Sequence, residues 1–255
     1  MRAIAVVLGC LCFATIAIAS STLDVTKLPR PEFPAPVTDV QPTRVRLALV
    51  SSRYHSPADP TRVLPDPAPW APPRFHGADL QFAIRQPPAL VFFVYGRDGS
   101  SGRYLVAANV HTRQLRYAFD FVNFAHAPGG GDFQQVVWAR ESEGVLYVES
   151  AHSTYATATG GLNAYVTAVD IVKRRTLWRS PALVANARTF VLAEGYLVTG
   201  YGFTREDDFL YLLDRPNGHV ADRLLVPSAP EFVRLRRDRL HVRTYDHDVV
   251  ERLTG

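Results

Sequence analysis

An all-β fold, laid out as an array of about four four-stranded blades, is what the 255-residue sequence predicts. Three observations carry this. From about residue 78 onward, runs of four to seven apolar, aromatic or β-branched residues alternate with Gly, Pro, Asn and Asp, with little helical period, the texture of short strands and turns. The runs recur in groups of four. Corresponding turn positions Gly144, Gly195 and Asp238 are 51 and 43 residues apart, and Asp170 and Asp214 are 44 apart. A repeat of roughly 40–50 residues with four strands in each marks propeller blades, because one twisted sheet cannot bury both faces until other sheets stack beside it. The expected architecture is a closed small β-propeller or an open partial one, preceded by a Pro-rich arm.

The elements follow in chain order. Met1-Arg2 supplies one positive charge, Ala3 to Ala19 is uncharged and apolar apart from Thr15, and Ala17-Ile18-Ala19 puts small residues at the −3 and −1 positions before Ser20. This is the grammar of a secretory signal peptide over residues 1–19, leaving no transmembrane segment after cleavage and implying a periplasmic or extracellular location. Both cysteines, Cys10 and Cys12, lie inside it, so the mature chain is expected to have neither disulfides nor Cys-type metal sites. Losing Arg2 takes the formal charge from +4 to +3, with 27 basic against 24 acidic residues. That mild, intermixed balance argues against a nucleic-acid partner.

Twelve of the nineteen prolines fall between Pro29 and Pro73, favouring extended backbone. Residues 20–77 read as an arm laid over the domain. Within it Arg44–Val50 alternates like a strand. The repeats occupy 78–255. The last unit has room for only three strands, so the Arg44–Val50 segment is expected to pair beside it. An open arc would instead leave a blade edge suited to a partner or to a second copy, as a homodimer.

Ala164 to Ser180 reads AYVTAVDIVKRRTLWRS. A strand ending in Val-Asp, a basic turn and then Leu-Trp resembles the repeat of the quinoprotein-like (PQQ-like) β-propellers. The resemblance implies that Asp170 shapes the turn before the outer strand and that Trp178 docks between neighbouring blades. In the first unit Asn109 and Tyr117 stand at these positions; in the third, Asp214 and Asp222. Where the family usually has Gly after the turn, this chain has Arg174. The quinone-dependent enzymes of the family have about eight blades and often adjacent cysteines. This chain has about four units and no mature cysteine, so no quinone, and no other cofactor, is expected.

Ligands in propellers usually sit on the face formed by inter-blade links and second-to-third-strand hairpins. On that face lie His126 and Asp132, flanking Gly129-Gly130-Gly131 in the first link. A glycine run can present amides to an anion, but no Gly-Lys-Ser/Thr follows. The hairpin Ser150–Asn163 exceeds the usual ~2–5 residues and carries His152 and Tyr155. The corresponding hairpin of the next unit carries Tyr201, Arg205, Glu206, Asp207 and Asp208. Asp246-His247-Asp248, near His241, is the densest group of metal-ligand types, yet neighbours on a strand point to opposite faces, and no metal site is expected there.

No Gly-x-Ser-x-Gly elbow, His-Glu-x-x-His or dinucleotide fingerprint is present. The expectation is an exported, non-catalytic propeller that binds a protein or a polymer at the cell envelope. The alternative is a secreted hydrolase or lyase acting on carbohydrate or peptide with loop-borne catalytic residues. Mass spectrometry of the exported protein should find an N-terminus at Ser20; a mature form retaining residues 1–19 contradicts the signal-peptide reading.

Overall fold

Strands that are apolar on both faces must be covered on both, and stacked sheets do this. The computed structural model describes residues 28–32, 35–38, 40–57, 68–97, 102–125, 134–152 and 154–255; residues 1–19, expected to be a signal peptide, lie outside them. Strand β1 (Arg46–Tyr54) comes first in the chain. The first sheet is β2 (Arg74–Phe75), β3 (Ala78–Gln86), β4 (Leu90–Gly96), β5 (Gly102–Asn109) and β6 (Leu115–Asp120). The second is β7 (Gln135–Ser142), β8 (Val145–Ala151), β9 (Tyr165–Asp170) and β10 (Arg175–Arg179). The third is β11 (Val191–Ala193), β12 (Tyr196–Tyr201), β13 (Phe209–Asp214) and β14 (Val220–Leu225). The fourth is β15 (Pro230–Arg236), β16 (Arg239–Thr244) and β17 (His247–Thr254), completed by β1. Neighbouring strands are antiparallel throughout, so the chain is an all-β array of four blades. Among the described residues no helix is long and apolar enough to cross a membrane.

Apolar clusters join successive blades. Phe92, Val94 and Leu105 of the first sheet pack on Val136, Leu146 and Val148 of the second. Tyr147, Val166 and Trp178 of the second meet Leu197, Leu213 and Val220 of the third. Val198, Leu210 and Leu212 of the third meet Leu47, Val242 and Val249 of the fourth. Among the described residues no apolar cluster joins the fourth blade to the first: the array is an open arc. The free face of the first blade is instead covered by the arm. Ala68, Trp70 and Phe75 lie over Ala83, Val91, Phe93 and Tyr95, with the Trp70 ring edge-on to Phe93 at 5.2 Å.

One device fastens each blade to the next. In the outer strand of each of the first three blades a one-residue register slip precedes a side chain that reaches the following blade. The slip lies at Arg116 before Tyr117, at Leu177 before Trp178 and at Ala221 before Asp222. A bulge of this kind re-aims the next side chain. Tyr117 donates its hydroxyl to Glu141 (2.6 Å). Trp178 donates its indole N–H to the carbonyl of Arg215 (2.9 Å). The Asp222 carboxylate accepts the amide of Leu47 (2.8 Å). The turns that set up these strands also match. Asn109 and Asp170 each accept two backbone amides two and three residues on. Four residues after Asn109, Asp170 and Asp214 come Arg113, Arg174 and Gly218, all with positive φ. Glycine is required only at the last, where a Cβ would lie 2.3 Å from Cε3 of Trp178.

The arm is a strap. The carbonyl of Pro29 accepts the Asp120 amide of the first blade, and Arg30 pairs with Asp120 at 3.0 Å. The carbonyl of Glu32 accepts the Thr176 hydroxyl of the second blade, and the Val37 amide reaches the carbonyl of Arg179. The Gln41 amide reaches the carbonyl of Val220 in the third blade. The chain then becomes β1 in the fourth. The strap thus follows the outer strands in order, supplying hydrogen-bond partners to edges that would otherwise invite another chain.

Two carboxylates are buried between blades. Glu149 faces the third blade beside Thr199, and burial pushes its pKa well up. Glu251 lies on the face of β17 turned to the third blade, and neither of its oxygens has a hydrogen-bond partner among the described residues. Burial raises it to about 7.

Replacing Trp178 with Ala removes both the ring from the inter-blade cluster and the hydrogen bond to Arg215. A loss of ~3–5 kcal/mol is expected, read from the urea midpoint; an unchanged midpoint refutes the docking role. For Glu251 the folded pKa lies above the unfolded value of ~4.3. The native state therefore holds the extra proton, and its contribution to stability is lost as pH rises from about 4 through 7. Glu251→Gln should be more stable than the parent by an amount growing across that window to the order of 3 kcal/mol. A difference that does not vary with pH contradicts the raised pKa.

Candidate functional site

The face expected to carry ligands contains a cavity of about 620 Å³. Its walls come from three blades: Gln135, Ala151 and His152 of the second, Asn186, Gly202, Phe203 and Asp208 of the third, and Ser228, Pro230, Tyr245 and Asp246 at the fourth. The long β8–β9 hairpin is closed at its base by Asn163, which accepts the His152 amide (2.7 Å) and donates to its carbonyl (2.9 Å). Asn186 repeats the pattern, donating to the carbonyl of Gly202 (2.8 Å) and accepting its amide (3.1 Å).

Glu206 ties the hairpins of the second and third blades together. One carboxylate oxygen accepts the Ala156 amide (2.7 Å) and the other accepts the Tyr201 hydroxyl. The ring of Tyr155 meets that of Phe203 edge-on at 4.5 Å. Tyr201 is buried, and burial followed by the Glu206 hydrogen bond keeps its hydroxyl protonated far above the usual range. Of the residues singled out from the sequence, His152 lines the cavity. Its Nδ1 is buried and has no hydrogen-bond partner among the described residues. Tyr155 and Tyr201 are held in the latch behind the rim, and Arg205 is exposed at the hairpin tip. His126 and Asp132 lie outside the described residues.

Asp208 is the most perturbed group in the cavity. Burial, then the neighbouring charge of Asp207, raises it to about 6, and its Oδ1 has no hydrogen-bond partner among the described residues. It folds over Gly202, where a Cβ would lie 2.0 Å from that oxygen. Ser228 donates to Asp246, and His247 binds the same Asp246 oxygen through Nδ1 at 2.7 Å. The carboxylate therefore stands between serine and imidazole, so His247 does not receive the serine proton as the base of a nucleophile relay does. The Ser228 hydrogen bond, first, holds Asp246 below its ordinary value. Among the described residues no group of three His, Asp or Glu is placed to hold a metal.

A second cavity of about 730 Å³ follows the concave side of the arc, lined by β3, β7, β11 and β15. Arg140 lies on the Trp138 ring at 4.6 Å and donates to the carbonyl of Arg85 at 3.0 Å. Burial pulls it down to about 10, so it remains cationic at neutral pH.

No family model matches this sequence, and no curated protein matches it. Solved structures resemble it weakly. BamB from Moraxella catarrhalis has a TM-score of 0.43 and 12% identity over 69% of this chain and 45% of that one. The computationally designed Ika4 protein has a TM-score of 0.45 and 11% identity over 71% of this chain and 94% of that one. Hydrazine synthase of Kuenenia stuttgartiensis has a TM-score of 0.43 and 11% identity over 60% and 46%. The chain spans less than half the length of BamB and of hydrazine synthase. The blade assignment above rests on the sheets themselves, not on these likenesses.

Proposed function

We propose that this protein is an exported, non-catalytic propeller of the cell envelope that binds a protein or polymer on its hairpin face. The observation that carries the reading is the Glu206 latch. It joins two hairpins from different blades into one preorganised rim beside a 620 Å³ cavity. A rim fixed before binding lowers the ordering cost of association. The cavity's serine bonds a carboxylate rather than an imidazole, which does not favour acyl transfer.

A second reading, a hydrolase or lyase acting on carbohydrate or peptide, draws on Asp208. A carboxyl raised to about 6 inside a cleft suits acid–base work near neutrality.

One experiment separates the two: affinity capture from the native envelope with the parent, Glu206→Ala and Asp208→Asn, each first shown to melt cooperatively. The binding reading expects a defined partner captured by the parent and by Asp208→Asn, and lost with Glu206→Ala. Equal capture by Glu206→Ala overturns it. Turnover of a glycan or peptide panel by the parent, abolished in Asp208→Asn, establishes the enzyme instead.

A further inference from the structure

The two ends of the arc are not alike. The outward face of the first blade is apolar and covered by the arm. The outward face of the fourth is open and basic. Direct cross-strand partners share a face, so its composition follows from the register. One row is Phe232, Arg243, Asp248 and Arg53; the next is Arg234, His241, Val250 and Ser51; Arg236 stands opposite Arg239, and Arg252 opposite Ala48. The other face of the same strands, with Val233, Leu240, Val242 and Val249, is the one packed on the third blade. The corresponding face of the second blade presents Tyr147, Val166, Ala168 and Trp178, all buried. Arginine has replaced the apolar residues a fifth blade would need.

The face carries six arginines against one aspartate, a formal +5, whereas the whole chain is +4, leaving −1 for all other residues. The charge that looks intermixed along the sequence is therefore gathered on one surface. A terminal repeat needs a polar outer face for solubility, but solubility does not call for a single sign. Nor does stability: Arg236 directly opposite Arg239 is a like-charge pair, which destabilises a sheet. Arg243 has Asp248 at 3.8 Å, and Arg239 has the hairpin residue Asp238 at 3.6 Å. Arg53, Arg234, Arg236 and Arg252 are exposed.

We propose that this face is a docking surface for an anionic lipid bilayer. The sheet roots the side chains of this face on a two-dimensional lattice, with positions about 5 Å apart across strands and about 7 Å along them. A planar array of phosphate headgroups meets such a lattice over its whole extent, and guanidinium forks suit phosphate. At the bulge of the edge strand β1 the exposed Val50 borders the face, an apolar side chain of the kind that settles at a membrane interface. A single-stranded nucleic acid would need rings for its bases to stack on. Beside His241, Phe232 is the one aromatic ring on the face, and Arg188 and Arg234 already lie over it at 5.8 and 5.9 Å.

The test is co-sedimentation of the mature chain with vesicles of phosphatidylglycerol in phosphatidylcholine and with phosphatidylcholine alone, at low and high salt. The expected result is binding to the anionic vesicles that weakens with salt, and none to the neutral ones. Arg234→Gln with Arg236→Gln should lower partitioning about thirty-fold, two charges at roughly 1 kcal/mol each. Arg174→Gln with Arg175→Gln, an equal charge change at an exposed turn of the second blade, should leave it nearly unchanged. Equal losses in the two double variants, or no binding of the parent to anionic vesicles, overturn the proposal. Binding to single-stranded DNA or a soluble polyuronate without binding to vesicles assigns the face to a polymer instead.

Discussion

Everything in this arc depends on how one blade grips the next, and the grip is a bulge followed by a reaching side chain. Without the bulge, strict alternation would aim Tyr117, Trp178 and Asp222 elsewhere. With it, a phenol, an indole and a carboxylate perform the same task with different chemistry. Tyr117 and Trp178 donate across the interface, while Asp222 accepts. The aromatic pair adds buried area to its hydrogen bond. Asp222 buries less, and the Leu47 amide it receives belongs to the strand that arrives from the other end of the chain. The last joint is thus the most polar, and it is also the one made between segments furthest apart in sequence.

The N-terminal segment completes what the repeats leave unfinished. Its carbonyls and amides satisfy the outer edges of three blades, its one strand completes the fourth, and its return covers the first. Proline suits the strap for a physical reason: it holds the backbone extended, gives up a donor and keeps the acceptor. Pro29 uses its carbonyl in that way. The outcome is an array whose apolar starting face is sheltered inside the chain, while its final face is left to solvent and carries the charge.

Much of this was legible in the sequence, for identifiable reasons. Strands declare themselves through local alternation, and the docking positions through a fixed offset from the turn aspartate, so Tyr117, Trp178 and Asp222 could be aligned despite sharing no chemistry. The strand at Arg44–Val50 was visible as an alternating island; it runs to Tyr54, because Ser51 and Ser52 continue the pairing past a bulge at Val50. Neither the bulges nor the short β2 leave a local signal. The hairpin face was harder still. Tyr155 and Tyr201 read as candidates on the hairpins of successive units, yet Glu206, five residues past Tyr201, accepts that hydroxyl and also the amide of Ala156, fifty residues back, to make a latch. Polar contacts between loops depend on where the blades place them. The basic face did leave a trace: in the fourth unit arginine and histidine alternate with apolar residues, Val233-Arg234-Leu235-Arg236 and Leu240-His241-Val242-Arg243, where earlier units are apolar on both parities.

The pairing of β1 with β17 sets the order of events during synthesis. Among the described residues β1 is the first strand in chain order and its partner the last, with Arg46 matched to Thr254. Until translation of β17 is finished, β1 is an unpaired strand of alternating apolar residues, the kind of edge that recruits foreign strands. Loop closure over such a span comes late in folding, since the entropy of bringing its ends together precedes any reward from contacts. The nascent chain must therefore carry its own closing strand in waiting, with Arg46 and Arg53 near its two ends as the charges that discourage a wrong partner.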